Sequence, residues 1–406
     1  MVADSLDIFI HGTRVGALTS LGGDRSILSF ADAYVADPNR PTLSLSFRDA
    51  RGDLITDHPP VQTRVQTFFS NLLPEGGMRD YLAGRAGVKP MRDYALLEVL
   101  GADLPGAVEL RPSGAGRRDD EAASLVTALT DPESPFRFSL AGVQLKFSAL
   151  AREHGGLTIP AGGAGGDWIV KLPSPRWRGV AENEFSMMTL AAAVGLDVPE
   201  VRLTPLAALD GLPDDVVRGE GAAFAVRRFD RRAEGGKVHI EDFAQIFGVY
   251  PEEKYAKARY RSIARVLWLE AGEAAVREFV ARLVFNTLIG NADMHLKNWS
   301  VIYPDGRTPA LAPGYDFLST TPYLPDENMA LRFETGRRMT DLSLDELSRL
   351  AARAEIPPAL VYDSARATVD RFQTVWAAEA AHLPMHGDVR AEVDRLLRSI
   401  PLVQGR

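Results

Sequence analysis

The stretch Asn291-Ala-Asp-Met-His-Leu-Lys-Asn298 decides the fold of this chain, together with Gly314-Tyr-Asp-Phe-Leu318 downstream. The first stretch follows a helical apolar pattern, Glu273–Leu288, and precedes a strand pattern, Ser300–Tyr303. Its polar residues are therefore expected at the edge of a hydrophobic core. A Pro-Asp-Gly turn after the strand favours a reversal of the chain, which predicts that the second stretch returns to lie beside the first.

Asp293 and Asn298 are separated by the spacing Asp-x4-Asn of a protein-kinase catalytic loop. In that loop the aspartate accepts the proton of the attacking hydroxyl and the asparagine binds Mg²⁺. Asp316 lies where the same arrangement places a second metal-binding carboxylate, so ATP and Mg²⁺ are the expected cofactors. The spacing also occurs by chance, and a loop aspartate is commonly a turn former. The assignment therefore depends on what the upstream half of the chain supplies.

A loop of small residues lies in that upstream half, with the sequence Ser139-Leu-Ala-Gly-Val-Gln-Leu-Lys146. Such a loop can present backbone N–H groups to phosphates. The predicted ATP contacts within it are Ala141, Gly142, Val143 and Gln144. The loop matches neither GxGxxG nor GxxxxGK[ST], so it does not identify a nucleotide site by itself.

Lys171 lies in the apolar strand pattern Trp168–Leu172, where kinases place the lysine that contacts the α and β phosphates. Glu184 lies in the following helix pattern, Ala181–Val194, where it could pair with Lys171. Gly195 suits the position just after the end of that helix. The alternatives are a lysine at a sheet edge or facing solvent, and a glutamate on a solvated helix face.

Composition excludes several classes of site. Cysteine is absent, which excludes disulfides, thiolate zinc sites, iron–sulfur clusters and thiol nucleophiles. The 46 basic and 54 acidic residues give a net charge of −8, so we expect no direct coating of DNA, which requires phosphate neutralisation. No run of about eighteen apolar residues is present, and the first residues carry acids without a basic segment before an apolar block. We therefore expect no membrane span, no signal peptide and a cytoplasmic location.

Sequence patterns divide the 406 residues into four parts. Residues 1–110 read as a mixed α/β unit without evident chemistry, and residues 111–135 as a linker or mobile loop. Residues 136–240 combine strands, the phosphate loop and a helix, whereas residues 241–406 are mostly helical. This order predicts an α+β, two-lobed protein-kinase-like fold, with a mixed α/β N-terminal lobe, an extra N-terminal subdomain and an all-helical C-terminal lobe.

Individual elements follow from periodicity and turn residues. Besides the strands above, the patterns predict strands at Asp7–Ile10, Val15–Leu18, Thr42–Phe47, Leu157–Ile159 and Phe224–Phe229. Besides the helices above, they predict helices at Val61–Leu73, Asp93–Leu100, Ala256–Leu269, Leu342–Ala354, Ala359–Ala381 and Val389–Leu397.

Taken in order, these motifs resemble those of the HipA family of toxin serine/threonine kinases over nearly the whole chain. The matching stretches are Ser139–Lys146, Asn183–Pro199, Val226–Arg232, Glu241-Asp242, Asp293–Asn298 and Tyr315–Ser319. Residues 1–110 also resemble the N-terminal subdomain of that family. An ordered set of motifs is more specific than any one of them.

The resemblance implies a role for each matched residue. Asp293 would be the catalytic aspartate, and Asn298 and Asp316 would bind Mg²⁺. Lys171 would contact the ATP phosphates, with Glu184 as its helix partner.

Other matched positions carry less defined roles. The strand ending at Arg228 and Phe229 would border the adenine through backbone groups, although Arg227 stands where an acidic residue is expected. Lys297 would either stabilise the transferred phosphate or face solvent. His295 would hydrogen-bond within the loop.

Ser139 matches the serine whose autophosphorylation, in that family, ejects the phosphate loop and switches the kinase off. A phosphate would add about two negative charges beside a loop meant to bind ATP phosphates. The alternative is a serine that caps a helix or turn.

The resemblance implies a toxin that phosphorylates a translation component such as an aminoacyl-tRNA synthetase. Its partner would be a small helix-turn-helix antitoxin of the HipB type, with operator DNA contacted only through that antitoxin. Two alternatives remain open. One is a small-molecule phosphotransferase of the aminoglycoside or choline kinase type, which would not need residues 1–110. The other is a non-catalytic kinase-like regulator, which would commonly lack one of Lys171, Asp293, Asn298 and Asp316.

Overall fold

The computed structural model describes residues 4–85, 87–113, 146–151, 157–158, 166–174, 176–212, 221–324 and 328–405. The predicted linker beyond residue 113 lies outside them. None of the helices in these ranges is long and apolar enough to cross a membrane.

The N-terminal unit is built on a five-stranded antiparallel sheet with the strand order β4-β3-β2-β1-β5. The strands are β1 Ser5–Ile10, β2 Thr13–Gly22, β3 Arg25–Phe30, β4 Val61–Gln62 and β5 Val108–Pro112. Leu6, Ile8 and Ile10 of β1 are buried, as expected for a strand with one face on a core. The predicted strand pair around the His11-Gly12 turn is confirmed.

The helices of this unit are α1 Asp32–Ala36, α2 Thr67–Ser70, α3 Gly76–Arg85 and α4 Asp93–Leu100. The prediction of α4 is confirmed at both ends. The helix predicted over Val61–Leu73 is mostly wrong, because Val61 and Gln62 pair with β3 at the sheet edge. Only the short α2 follows within that range.

The strand predicted over Thr42–Phe47 is wrong, since the segment contains a 3-10 turn, Leu45–Phe47. Its backbone is bonded to the second half of the chain instead of to a neighbouring strand. The Thr42 N–H donates to the Gly306 carbonyl at 2.9 Å, and the Leu45 N–H donates to Glu241 Oε1 at 3.0 Å. The segment therefore attaches the N-terminal unit to the rest of the protein.

A six-stranded sheet with the order β10-β7-β6-β8-β11-β9 forms the core of the next unit. Its strands are β6 Lys146–Ala151, β7 Leu157–Thr158, β8 Trp168–Lys171, β9 Val201–Pro205, β10 Leu209–Asp210 and β11 Ala222–Arg227. Helix α5, Val180–Val194, packs on this sheet. The predicted end of α5 is confirmed, because Gly195 adopts the left-handed conformation with φ of 89° and its N–H caps the last turn.

The C-terminal lobe contains α6 Phe243–Ile246, α7 Tyr260–Glu270, α8 Gly272–Leu288, α9 Leu344–Ala354, α10 Pro358–Glu379 and α11 Gly387–Ser399. A three-stranded sheet interrupts this otherwise helical lobe: β12 His239–Asp242, β13 Ser300–Tyr303 and β14 Ala310–Leu311. The strand prediction for β13 is confirmed. Helix α8 is buried along most of its length and carries the chain to the predicted catalytic loop.

Candidate active site

Helix α8 delivers the chain into the 291–298 loop through a tight turn at Gly290. Gly290 has φ of 73°, and a Cβ there would lie 2.4 Å from Thr321 Oγ1, so only glycine fits without displacement. The loop ends in a 3-10 turn, Leu296–Asn298, which feeds β13. A rigid helix and a paired strand thus hold both ends of the loop.

Polar side chains tie the loop to itself and to the Asp316 segment. Asn298 Nδ2 donates to the Asp293 carbonyl at 2.8 Å, which closes the loop. Asn291 Nδ2 donates to the Asp316 carbonyl at 3.0 Å, and the Tyr315 hydroxyl donates to the Lys297 carbonyl at 2.8 Å. These two bonds bring the Asp316 segment beside the loop, as the sequence predicted.

Lys171, Glu184 and Asp316 form a chain of ion pairs in which the ammonium lies between two carboxylates. The predicted pair of Lys171 with Glu184 is therefore present, and the alternatives of a solvent-facing lysine and a solvated glutamate are wrong. The side chains of Lys171 and Glu184 are 7% and 4% exposed, whereas that of Asp316 is 27% exposed. Burial opposes the charge of Lys171, but the two carboxylates outweigh it and raise the pKa of the ammonium.

Helix α5 is docked onto the Asp316 segment by a reciprocal pair of bonds. Asn183 Nδ2 donates to the Ser319 carbonyl at 2.9 Å, and Asn183 Oδ1 accepts from the Ser319 N–H at 3.2 Å. Because Asn183 precedes Glu184, this contact holds the glutamate against Lys171.

Asp316 itself adopts a left-handed backbone conformation, with φ of 57°. This region is costly for most side chains and is tolerated by aspartate and asparagine. The carboxylate of this residue pairs with the Lys171 ammonium.

Asp293 and His295 both contact Tyr255, which follows the 3-10 turn Pro251–Glu253. The Tyr255 hydroxyl donates to Asp293 Oδ1 at 2.8 Å, and its ring packs edge-on against His295 with a centroid distance of 5.1 Å. The predicted hydrogen bonding of His295 within the loop is made by its backbone, whose N–H donates to the Asp293 carbonyl at 2.8 Å and whose carbonyl accepts from the Asn298 N–H at 3.0 Å, whereas His295 Nδ1 has no hydrogen-bond partner within the described residues. Burial, aided by the Lys254 ammonium, lowers the pKa of His295 to about 3, which leaves the ring neutral.

Lys297 does not face solvent, so that alternative is wrong. Its ammonium donates to the Asn71 carbonyl at 2.8 Å and pairs with Glu75 at 3.0 Å, both in the N-terminal unit. Asp242 Oδ2 lies 3.8 Å from the same nitrogen. A contact of Lys297 with phosphate would require it to leave these partners.

The segment after β11 lies next to the Asp316 segment. The rings of Phe229 and Tyr315 pack there with a centroid distance of 5.8 Å. The Arg228 guanidinium is bonded to Asp230 at 2.8 and 2.9 Å, and the Arg228 N–H donates to the Asp167 carbonyl at 2.8 Å. Adenine contacts by Arg228 and Phe229 remain a prediction.

Ser139, Ala141, Gly142, Val143 and Gln144 lie outside the described residues. Within the described ranges, no cluster of three or more His, Asp or Glu residues could hold a metal ion. Mg²⁺ commonly binds one or two protein oxygens together with substrate phosphates and waters. Asn298 and Asp316 supply oxygen donors of that kind, so these residues fit Mg²⁺ bound together with ATP.

Sequence reasoning missed Tyr255, Lys254 and Glu75. None of them belongs to a recognisable spacing motif. Glu75 directly precedes α3 in the N-terminal unit, far from the loop along the chain, and no local pattern connects the two.

Comparison with known families gives matches to both halves of the chain. Residues 6–111 match the HipA N-terminal domain, and residues 138–376 match the HipA-like C-terminal domain.

Relatives match over most of their length. A Sinorhizobium fredii protein named "Putative kinase Y4dM" is 55% identical over 393 residues, which cover 96% of this chain and 95% of that protein. The serine/threonine-protein kinase toxin HipA of Shewanella oneidensis is 28% identical over 359 residues, which cover 79% of this chain and 76% of the toxin.

The fold resembles that of HipA from Shewanella oneidensis, solved in a complex with HipB and its operator DNA. The TM-score is 0.73 at 22% sequence identity, over 98% of this chain and 96% of that one. Given the two family matches and the full-length relatives, this chain belongs to the HipA family.

Proposed function

We propose that this protein is an ATP- and Mg²⁺-dependent serine/threonine-protein kinase and the toxin of a toxin–antitoxin pair. The observation that carries the proposal is the chain of ion pairs from Glu184 through Lys171 to Asp316, beside the loop that holds Asp293 and Asn298. Phosphoryl transfer needs this combination, because it depends on positioning and on charge stabilisation around the phosphates.

Each residue of the site has a distinct task. Lys171, held by Glu184, binds the ATP phosphates, and Asn298 with Asp316 holds the metal. Bound Mg-ATP supplies the phosphoryl group. Asp293 orients the acceptor hydroxyl and takes its proton, and its carboxylate is steadied by Tyr255.

The family suggests the partners and the regulation. The substrate would be a translation component such as an aminoacyl-tRNA synthetase, and Ser139 would be the autophosphorylation site. The antitoxin would be a small helix-turn-helix protein of the HipB type that alone contacts operator DNA, in the cytoplasm. The toxin name of the Shewanella relative and the net charge of −8 both support this arrangement.

The test is to incubate wild type, Asp293→Ala and Asp316→Ala with Mg-ATP and to locate phosphate by intact mass and peptide mapping. One phosphate at Ser139 in wild type, absent from both variants, is the expected result. Phosphate at another residue would support the kinase activity and contradict the assignment of Ser139 as the autophosphorylation site. A protein that binds Mg-ATP and modifies neither itself nor any protein in a lysate would contradict the protein kinase.

A further inference from the structure

Glu75 of the N-terminal unit pairs with two lysines, of which Lys297 belongs to the 291–298 loop and Lys254 precedes it along the chain. Glu75 Oε2 lies 2.8 Å from Lys254 Nζ, and Glu75 Oε1 lies 3.0 Å from Lys297 Nζ. The two ammonium groups are mostly buried, with side chains 17% and 14% exposed. One carboxylate therefore bridges two cations in a partly desolvated place, where such contacts are stronger than at a surface.

Both lysines are directly connected to the candidate catalytic residues. Lys297 immediately precedes Asn298, the predicted metal ligand. The Lys254 carbonyl accepts from the Leu296 N–H at 3.3 Å, and the next residue, Tyr255, donates its hydroxyl to Asp293. Glu75 is thus linked to the loop twice, directly through Lys297 and indirectly through Lys254.

The local charge balance depends on Glu75. The cluster contains two ammonium groups, Lys254 and Lys297, and two carboxylates, Glu75 and Asp242. The loss of one carboxylate would leave a net positive charge beside the loop. Burial alone would raise the pKa of Glu75, but Lys297 and Lys254 outweigh it and lower the pKa to about 2, so the charge is permanent near neutral pH.

The segment that carries Glu75 is itself anchored. Asn71 Nδ2 donates to the Val249 carbonyl at 2.7 Å, and the Asn71 carbonyl accepts from Lys297. The Gln245 side chain donates to the Phe68 carbonyl at 3.0 Å. These bonds fix the end of α2, just before Glu75 along the chain, against the second half of the chain.

We infer that Glu75 is a positioning residue, through which the N-terminal unit holds the 291–298 loop in its working geometry. This inference deepens the proposed kinase and rests on it. It gives residues 1–110 a task in catalysis, because small displacements of a catalytic group lower the rate steeply.

The test compares Glu75→Gln, which keeps the shape and removes the charge, with Glu75→Asp, which keeps the charge on a shorter side chain. The matched control is Glu109→Gln. Glu109 also pairs the N-terminal unit with the second half of the chain, through Lys237 at 3.1 Å, and it does not contact the loop. Each protein is assayed for the autophosphorylation rate at saturating Mg-ATP, for the Mg-ATP dissociation constant and for hydrogen exchange of the loop peptide.

We expect E75Q to lower the maximal rate roughly ten- to hundredfold, with the Mg-ATP dissociation constant within about twofold of wild type. E75D should retain an intermediate rate, and E109Q should behave as wild type. Exchange in the loop peptide should rise in E75Q alone. Because Glu75 pairs with both Lys254 and Lys297, the fold-loss of rate caused by Glu75→Gln should be smaller in a Lys297→Met background than in wild type.

An E75Q rate within twofold of wild type, or loop exchange equal to that of E109Q, would overturn the inference. A loss of Mg-ATP binding equal to the loss of rate would also overturn it, because the defect would then lie in nucleotide binding. If wild type transfers no phosphate, the proposed kinase fails, and the exchange comparison still decides whether Glu75 holds the loop.

Discussion

The Tyr255 hydroxyl donates a hydrogen bond of 2.8 Å to Asp293 Oδ1. Tyr255 makes this contact although the residue is 41% exposed. A carboxylate at the end of a short side chain can rotate, and a donor on one oxygen restricts that rotation. In the proposed mechanism this carboxylate orients the acceptor hydroxyl and takes its proton.

Tyr255→Phe should lower the maximal phosphorylation rate by roughly five- to thirtyfold, equivalent to about 1–2 kcal/mol in the transition state. Mg-ATP affinity should be unchanged, because the hydroxyl contacts Asp293 and not the residues proposed to bind nucleotide. Tyr362→Phe, on α10 and away from the site, is the control. A Tyr255→Phe rate equal to that of the control would show that Asp293 needs no such support.

Lys171→Met should destabilise the protein by about 3–5 kcal/mol as well as abolish activity, because it leaves Glu184 buried without its cation. Adding Glu184→Gln should recover more than about 1 kcal/mol of that loss, since it removes a buried negative charge that no longer has the Lys171 ammonium beside it. Urea denaturation of the single and double variants measures both values. Strictly additive losses would mean that the carboxylate does not depend on the ammonium.

Asp316→Ala and Asp316→Gly should both lose the stabilisation by Mg-ATP that wild type shows. That stabilisation is about 2.7 kcal/mol at a hundredfold excess over the dissociation constant. Without ligand, the alanine variant should be less stable than the glycine variant by about 1 kcal/mol, because φ at this position is 57°. Denaturation with and without Mg-ATP separates the two effects. Equal stability without ligand would contradict the backbone argument.

His239 should make the protein sensitive to mild acid. The residue is fully buried in β12, and its Nε2 lies 2.8 Å from the Leu43 carbonyl, to which it donates. Burial lowers its pKa to about 4. As the pH falls from about 6.5 towards 4, the unfolded chain takes up a proton that the folded protein does not, so the free energy of unfolding falls.

His239→Asn keeps a donor and does not titrate, so it should lose this dependence. Relative to the variant, wild type should lose about 2 kcal/mol between pH 7.5 and pH 5. Denaturation at the two pH values measures the difference. Burial raises the pKa of Glu241 to about 7, so its contribution to the free energy of unfolding increases as the pH falls. This contribution is present in both proteins and cancels in the comparison. A difference between the two proteins that does not change with pH would contradict the assignment.

Local patterns predicted the parts of the fold that local physics determines. The cap at Gly195, both ends of α4 and strand β13 follow from turn residues and periodicity within a few positions. The Lys171–Glu184 pair was predicted from the kinase arrangement, in which a strand lysine pairs with a glutamate of a helix. All of these residues are close along the chain or belong to one supersecondary unit.

The errors fall where distant contacts decide the outcome. Thr42–Phe47 alternates like a strand, but its backbone groups bond to Gly306 and Glu241. The sequence left two roles open for Lys297, and two of its partners, Asn71 and Glu75, lie in another unit. No local pattern contains information about such a contact, because it depends on how the two units dock.

The docking of the two units has a consequence for synthesis of the chain. Asn71 and its partner Lys297 are separated by 226 residues. At roughly 5–20 residues per second, a ribosome needs about 10–45 s to make that interval, and N-terminal domains generally fold first. We therefore expect the surface that receives the 291–298 loop to fold before the loop is translated. A product of internal initiation that begins after residue 113 would lack that surface. Its 291–298 loop would then fold without the contacts from Asn71 and Glu75.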